Sequence, residues 1–129
     1  MSKQSLRRKL EAGEIIVAPG IQDMITAVIA NEFGFDAVYG TGYWLTASAF
    51  GLPDAGIASV TQMVDRMTTL VEKSTAPVIA DADTGYGGLL NVHHTVRAYE
   101  KAGVVGIQFE DQEFPKKCGH TPGKRVVST

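Results

Sequence analysis

Three carboxylates stand out by type and spacing. Asp81 and Asp83 are two residues apart and follow the apolar run Pro77-Val78-Ile79-Ala80. On a strand, or just past one, such a pair points to the same side. Ile79 shares that parity, while Val78, Ala80 and Ala82 take the other face. Two carboxylates held close repel unless a cation sits between them, and hard oxygen ligands beside the glycine-rich Gly85-Tyr86-Gly87-Gly88 suit Mg²⁺. A plain turn, in which Asp bonds nearby backbone donors, fits the same spacing. Glu110 closes a second run in which Gly106, Gln108 and Glu110 share one face and Ile107 and Phe109 the other. A barrel strand with a small or polar inward face has this pattern, and it aims Glu110 into the same mouth as Asp81 and Asp83. Asp111 reads as a solvated loop end.

The only cysteine, Cys118, lies in Lys116-Lys117-Cys118-Gly119-His120. Nearby positive charge lowers a thiol's pKa and favours thiolate chemistry. Cys118 and His120 have no second pair to complete a zinc site. His93 and His94 are helix neighbours about 100° apart on its surface and read as exposed. Gly40-Thr41-Gly42 and Gly85-Tyr86-Gly87-Gly88 do not complete a dinucleotide fingerprint, since Leu45 stands where the third glycine would be, and neither has the Lys-Ser/Thr of a P-loop. They fit loops whose backbone approaches a small anion closely, or plain turns. Trp44 and Phe50 read as local packing.

The elements that must position these groups alternate. A polar helix over Ser2–Ala12 is stopped by Gly13. Ile15–Ala18 reads as a strand closed by Pro19-Gly20. A helix follows over Gln22–Phe33, with Ile25, Val28, Ile29 and Phe33 as its apolar stripe. Asp36–Tyr39 is the second strand, and Tyr43–Ser59 is irregular apart from a helical turn over Trp44–Phe50. Ser59 and Gln62 form a capping-box pattern ahead of a helix that runs to Lys73. Pro77–Asp81 is the third strand. Asn91 caps a helix that Gly103 ends, Gly106–Glu110 is the fourth strand, and the remainder is loop. One helix followed by β-α-β-α-β-α-β means parallel strands with crossover helices, whose C-terminal edge is where sites form.

Composition narrows the class. Hydrophobic residues make up 44% and charged residues 20% of 129, with a net charge of −2. These values fit a globular domain and give no basic field for nucleic acid or an anionic membrane. A lone cysteine makes no intrachain disulfide and fits a reducing compartment. The N-terminus has no apolar h-region, and no run approaches a membrane span. A cytoplasmic enzyme or binding domain is expected.

In this setting Lys116-Lys117-Cys118-Gly119-His120 resembles the signature of the isocitrate lyase and phosphoenolpyruvate mutase superfamily, on its lyase side. Three further segments match in order. Tyr39-Gly40-Thr41-Gly42 resembles its substrate-binding turn, Gly51-Leu52-Pro53-Asp54 a stretch carrying an active-site Asp, and Asp81-Ala82-Asp83-Thr84-Gly85-Tyr86-Gly87 its metal-binding segment. The resemblance implies a (β/α)₈ barrel that binds Mg²⁺ or Mn²⁺ and a small 2-oxo or 2-hydroxy di- or tricarboxylate. Asp81, Asp83 and Glu110 would anchor the metal, with Asp54 nearby. Tyr39, Thr41, Gly42, Asp54, Lys117 and Gly119 would meet the substrate, although many relatives have Ser where Thr41 stands. Cys118 would give a proton to the carbanion left by carbon–carbon cleavage. Lys116, neutral in a desolvated site, would be the base, and Lys117 and His120 would tune the thiol. The phosphonomutases usually lack this Cys.

A complete barrel needs eight strands and typically about 250 residues. Residues 1–129 are expected to be one partial barrel domain of four strands, a fragment or a half that needs a partner, with two open sheet edges. The expected function is a carbon–carbon lyase of the 2-methylisocitrate or 2,3-dimethylmalate type that releases a 2-oxo acid such as pyruvate. Oxaloacetate hydrolysis or decarboxylation, carboxyphosphonoenolpyruvate mutase chemistry and a non-catalytic half-barrel are the alternatives. Expected partners are a small carboxylate and, for the longer form, copies of itself.

Overall fold

Four short strands run parallel in one sheet: β1 (Gly20–Ile21), β2 (Val38–Gly40), β3 (Val78–Asp81) and β4 (Gly106–Gln108), in the order β1-β2-β3-β4. This is the arrangement of the first half of a (β/α)₈ barrel. It is seen in a computed structural model that describes residues 3–128. The helices are α1 (Lys3–Glu11), α2 (Met24–Ala30), α3 (Gly42–Phe50), α4 (Val60–Lys73) and α5 (Leu89–Ala102). Ser2, the expected start of α1, lies outside the described residues. Among those residues no helix is long and apolar enough to cross a membrane.

The strand register fixes where the chemistry emerges. Gly40 pairs with Ile21 and with Ala80, and Asp81 pairs with Gln108. The residues that follow each strand therefore leave the sheet at one edge: Thr41, Asp83 and Glu110. Alternation sorts the two faces. Val38, Val78 and Ala80 are buried against the helices, where they pack with Met63, Met67 and Leu70 of α4 and Tyr99 of α5. Tyr39, Ile79 and Asp81 take the other face and are half-buried. Gly40 lets α4 approach: a Cβ there would stand 2.6 Å from Met67 Sδ.

Local signals explain the helix ends. Ser59 and Gln62 cap α4 reciprocally, as the capping-box pattern predicts. Asp23 Oδ1 accepts the Thr26 N–H at 2.7 Å and opens α2. The Thr41 side chain accepts the Trp44 N–H and opens α3, a full helix where only a helical turn is expected from sequence. Gly88, not Asn91, stands at the N-cap of α5, and Gly103 closes that helix in the left-handed conformation.

Two further expectations fail. Ile15–Ala18 is not a strand; pairing begins later, with the Tyr39 N–H on Pro19 O at 2.9 Å and Gly20 opposite Tyr39. Among the described residues no strand pairs with the β-branched run, and Ile15 is left 88% exposed. The stripe of α2 also points the other way. Ala27 and Ala30 face the core, whereas Ile25 and Phe33 are 74% and 68% exposed. Close packing against the sheet selects the small residues, and the large ones form an outer apolar face. Stability should follow this arrangement. Ala27→Leu should cost about 1–3 kcal/mol through overpacking, and Val28→Glu no more than about 0.5 kcal/mol as a surface change. Urea denaturation of the two variants measures both, and a larger loss from Val28→Glu would put the stripe back in the core.

Candidate functional site

The strand ends deliver three carboxylates to one point. Oxygen atoms of Asp81, Asp83 and Glu110 all lie within 4.8 Å of one another. The ladder continues past the strands to hold them there: the Ala82 N–H donates to Gln108 O at 3.0 Å and the Glu110 N–H to Asp83 O at 2.8 Å. Asp83 adopts a left-handed φ of 47°, so the chain turns sharply between the two aspartates and the glycine-rich loop.

Asp81 is fixed on both oxygens. Its Oδ1 accepts the Asp83 N–H at 2.9 Å and its Oδ2 the Gly42 N–H at 3.0 Å. The second bond explains the glycine, since a Cβ at position 42 would meet Asp81 Oδ2 at 2.8 Å. The close backbone approach that Gly40-Thr41-Gly42 suggests is thus an approach to a carboxylate of this chain. Tyr39 lies beside Asp81. Burial and that negative neighbour push its phenol well above the usual range, so it stays protonated.

Lys116 enters this cluster from the loop after β4. The residue is 4% exposed, and its Nζ stands 2.5 Å from Asp54 Oδ1, 2.5 Å from Asp83 Oδ1 and 3.6 Å from Glu110 Oε1. Burial alone would lower its pKa, but the bonds to Asp54 and Asp83 outweigh burial and raise it. These bonds favour the ammonium over the neutral amine that the role of a base requires. Asp83 feels the opposite balance: burial raises its pKa while Lys116 pulls it down.

Gln112, which has no sequence signal of its own, organises the same loop. Its Nε2 donates to Glu110 Oε2 and to Lys117 O, and its Oε1 accepts the Lys117 N–H at 3.1 Å. A bridge between Gln112 and Val126 then folds the segment back on itself. Cys118 is half-buried on this loop, while Lys117, Gly119 and His120 are exposed. Lys117 Nζ reaches Pro122 O at 3.4 Å. The structure thus brings together Tyr39, Gly42, Asp54, Asp81, Asp83, Glu110 and Lys116, and leaves Lys117, Gly119 and His120 on the outer side of the loop. His93, His94 and Asp111 are exposed, as expected.

A divalent cation fits the donor set. The cluster carries four carboxylates against one ammonium, and Asp83 Oδ1, although buried and in ion contact with Lys116, makes no well-aligned hydrogen bond. All the donors are hard oxygens. The balance of charge sets an expectation for Lys116→Met. Buried carboxylates lose their counter-ion, and about 3 kcal/mol of stability should be lost in metal-free buffer and partly regained with Mg²⁺. Urea unfolding with and without Mg²⁺ tests this, and an unchanged midpoint would show that solvent already screens these charges.

The chain is similar to known proteins over nearly all of its length. A 2,3-dimethylmalate lyase of Eubacterium barkeri is 53% identical over 123 residues, which are 95% of this chain and 43% of the lyase. A structure of oxaloacetate acetylhydrolase in complex with the inhibitor 3,3-difluorooxalacetate superposes with a TM-score of 0.91 at 44% identity, covering 98% of this chain and 43% of that one. A phosphonopyruvate hydrolase in complex with oxalate and Mg²⁺ superposes with a TM-score of 0.83 at 38% identity, covering 91% and 41%. The chain therefore spans about two fifths of the length of the relatives it matches. Residues 6–128 match the family described as phosphoenolpyruvate phosphomutase, and with that match the chain belongs to the phosphoenolpyruvate mutase and isocitrate lyase superfamily.

Proposed function

We propose that this chain carries the metal-binding half of a carbon–carbon lyase site for a small 2-hydroxy di- or tricarboxylate of the 2,3-dimethylmalate or 2-methylisocitrate type. The observation that carries the reading is the Asp81, Asp83 and Glu110 cluster at adjoining strand ends, with the Cys118 loop anchored in it through Lys116. Relatives named 2,3-dimethylmalate lyase and 2-methylisocitrate lyase support the substrate class.

Asp81, Asp83 and Glu110 would hold Mg²⁺ or Mn²⁺, directly or through water. When bound, such an ion polarises the substrate oxygen beside the scissile bond. Tyr39, kept protonated, is a hydrogen-bond donor at the rim of that site. Lys116 offsets part of the cluster's negative charge and so lowers the cost of bringing in an anionic substrate. In the reaction the hydroxyl-bearing carbon becomes the carbonyl of a 2-oxo acid as its hydroxyl proton passes to a carboxylate of the cluster that Lys116 links. The electron pair of the broken carbon–carbon bond stays on the carbon beside the other fragment's carboxylate, which takes its proton from the Cys118 thiol. Thr41 is engaged as the cap of α3, and its methyl faces Gly20. Its position at the sheet edge supports a part in binding a substrate carboxylate.

A second reading has its own support. The superposition with oxaloacetate acetylhydrolase favours cleavage of a 2-oxo dicarboxylate. Substrate trials decide between the two. Residues 1–129 joined to the remaining length of 2,3-dimethylmalate lyase, with Mg²⁺, should release pyruvate from 2,3-dimethylmalate or 2-methylisocitrate. Cys118→Ser in that protein should lower kcat by about 10²–10⁴ with little change in KM. Full activity of the Ser variant would remove Cys118 from the chemistry. Acetate release from oxaloacetate, with no pyruvate, would favour the second reading. Inactivity towards all three would favour a non-catalytic half-barrel.

A further inference from the structure

Helix α5 touches the metal segment along one stripe. Val92, Thr95 and Tyr99 fall at i, i+3 and i+7, on a single helix face. Val92 and Thr95 meet Gly85, and Tyr99 meets Asp81 and Tyr86. A Cβ on Gly85, whose φ is +92°, would come 2.5 Å from Val92 Cγ2. Thr95 Oγ1 donates to Gly85 O at 3.1 Å, and this hydroxyl is buried. Tyr99 O–H donates to Asp81 O at 3.2 Å, and the Tyr86 hydroxyl, 3.1 Å away, completes the chain by donating to Tyr99.

These contacts are polar groups placed in an otherwise apolar stripe. Burying a hydroxyl is unfavourable unless it is bonded, so Thr95 and Tyr99 are poor choices for packing alone. Their acceptors are backbone carbonyls at the two ends of the segment Asp81–Gly85. Between those ends lies Asp83, a non-glycine residue with a φ of 47°. A residue in that region returns to the β or α region unless its surroundings hold it.

We propose that Thr95 and Tyr99 are positioning residues, which clamp the Asp81 and Gly85 carbonyls to α5 and so hold the Asp81 and Asp83 carboxylates in the arrangement a divalent cation requires. The inference rests on the metal reading given above and adds to it the device that keeps the ligands in place. Tyr86 acts through Tyr99 by satisfying its hydroxyl oxygen.

Two readouts test the clamp on the 129-residue chain. The first needs no metal: amide hydrogen exchange at Asp83, whose N–H bonds Asp81 Oδ1, and at Gly85, whose N–H bonds Ala82 O. Thr95→Val and Tyr99→Phe keep the shape and lose the hydroxyl. Each should speed exchange at these two amides about fivefold, the factor expected for one lost hydrogen bond. Thr95→Ser should restore it. The second readout is Mn²⁺ affinity, followed by the electron paramagnetic resonance of free Mn²⁺, which should fall about tenfold in the Val and Phe variants. Should Tyr99→Phe not fold, Tyr86→Phe loosens the same chain without touching the backbone and should give a smaller shift in the same direction. Unchanged exchange at Asp83 and Gly85 in folded Thr95→Val and Tyr99→Phe would overturn the clamp, even if the variants melt at lower temperature. Failure of the parent chain to take up Mn²⁺ would count against the metal reading alone, and exchange would still decide the clamp.

Discussion

Repulsion between carboxylates is the constraint around which this half-barrel is built. Asp54, Asp81, Asp83 and Glu110 come from three different stretches of the chain and meet in a small, partly dry space, where like charges interact more strongly than in water. Each is held against that repulsion by a different means. Asp81 accepts two backbone N–H groups, Asp83 and Asp54 share the Lys116 ammonium, and Glu110 accepts from Gln112. The glycine at 42, the register of β3 with β4 and the buried lysine serve this one requirement.

Lys116 connects that electrostatic problem to the loop carrying the thiol. It is the buried member of Lys116-Lys117-Cys118-Gly119-His120, two residues from Cys118. Because its ion pairs fix one end of the motif to the carboxylates, the position of the thiol is tied to the charge state of the cluster. Cluster charge and thiol placement are thus parts of the same balance, with Gln112 as the second link between Glu110 and the loop backbone.

The sequence was legible where a signal is local. The Ser59–Gln62 cap, the Gly103 end of α5 and the shared side of Asp81 and Asp83 follow from spacing within a few residues. It misleads where the answer depends on what packs opposite. Ile15–Ala18 has strand composition without a neighbour to pair with, and the α2 stripe has correct helical periodicity but faces away from the sheet, because only Ala27 and Ala30 fit the interface. Gln112 and Thr95 were unreadable for another reason: a single polar residue acquires a role only when a distant carbonyl or carboxylate is brought to it. The charge of Lys116 is of the same kind, since its partner Asp54 is 62 positions away in the chain.

The three clustered acids all belong to β3, β4 and the stretch that joins them, about thirty residues from Asp81 to Glu110. Nothing from β1 or α2 contributes an oxygen to that set. Any divalent ion bound there acts as a ligand of this one βαβ unit, and by mass action it would add about 2.7 kcal/mol to the unit's stability at a hundred times its dissociation constant. The unit could then remain ordered under conditions that loosen the β1 edge, so that ion concentration sets the order in which the parts of the molecule melt.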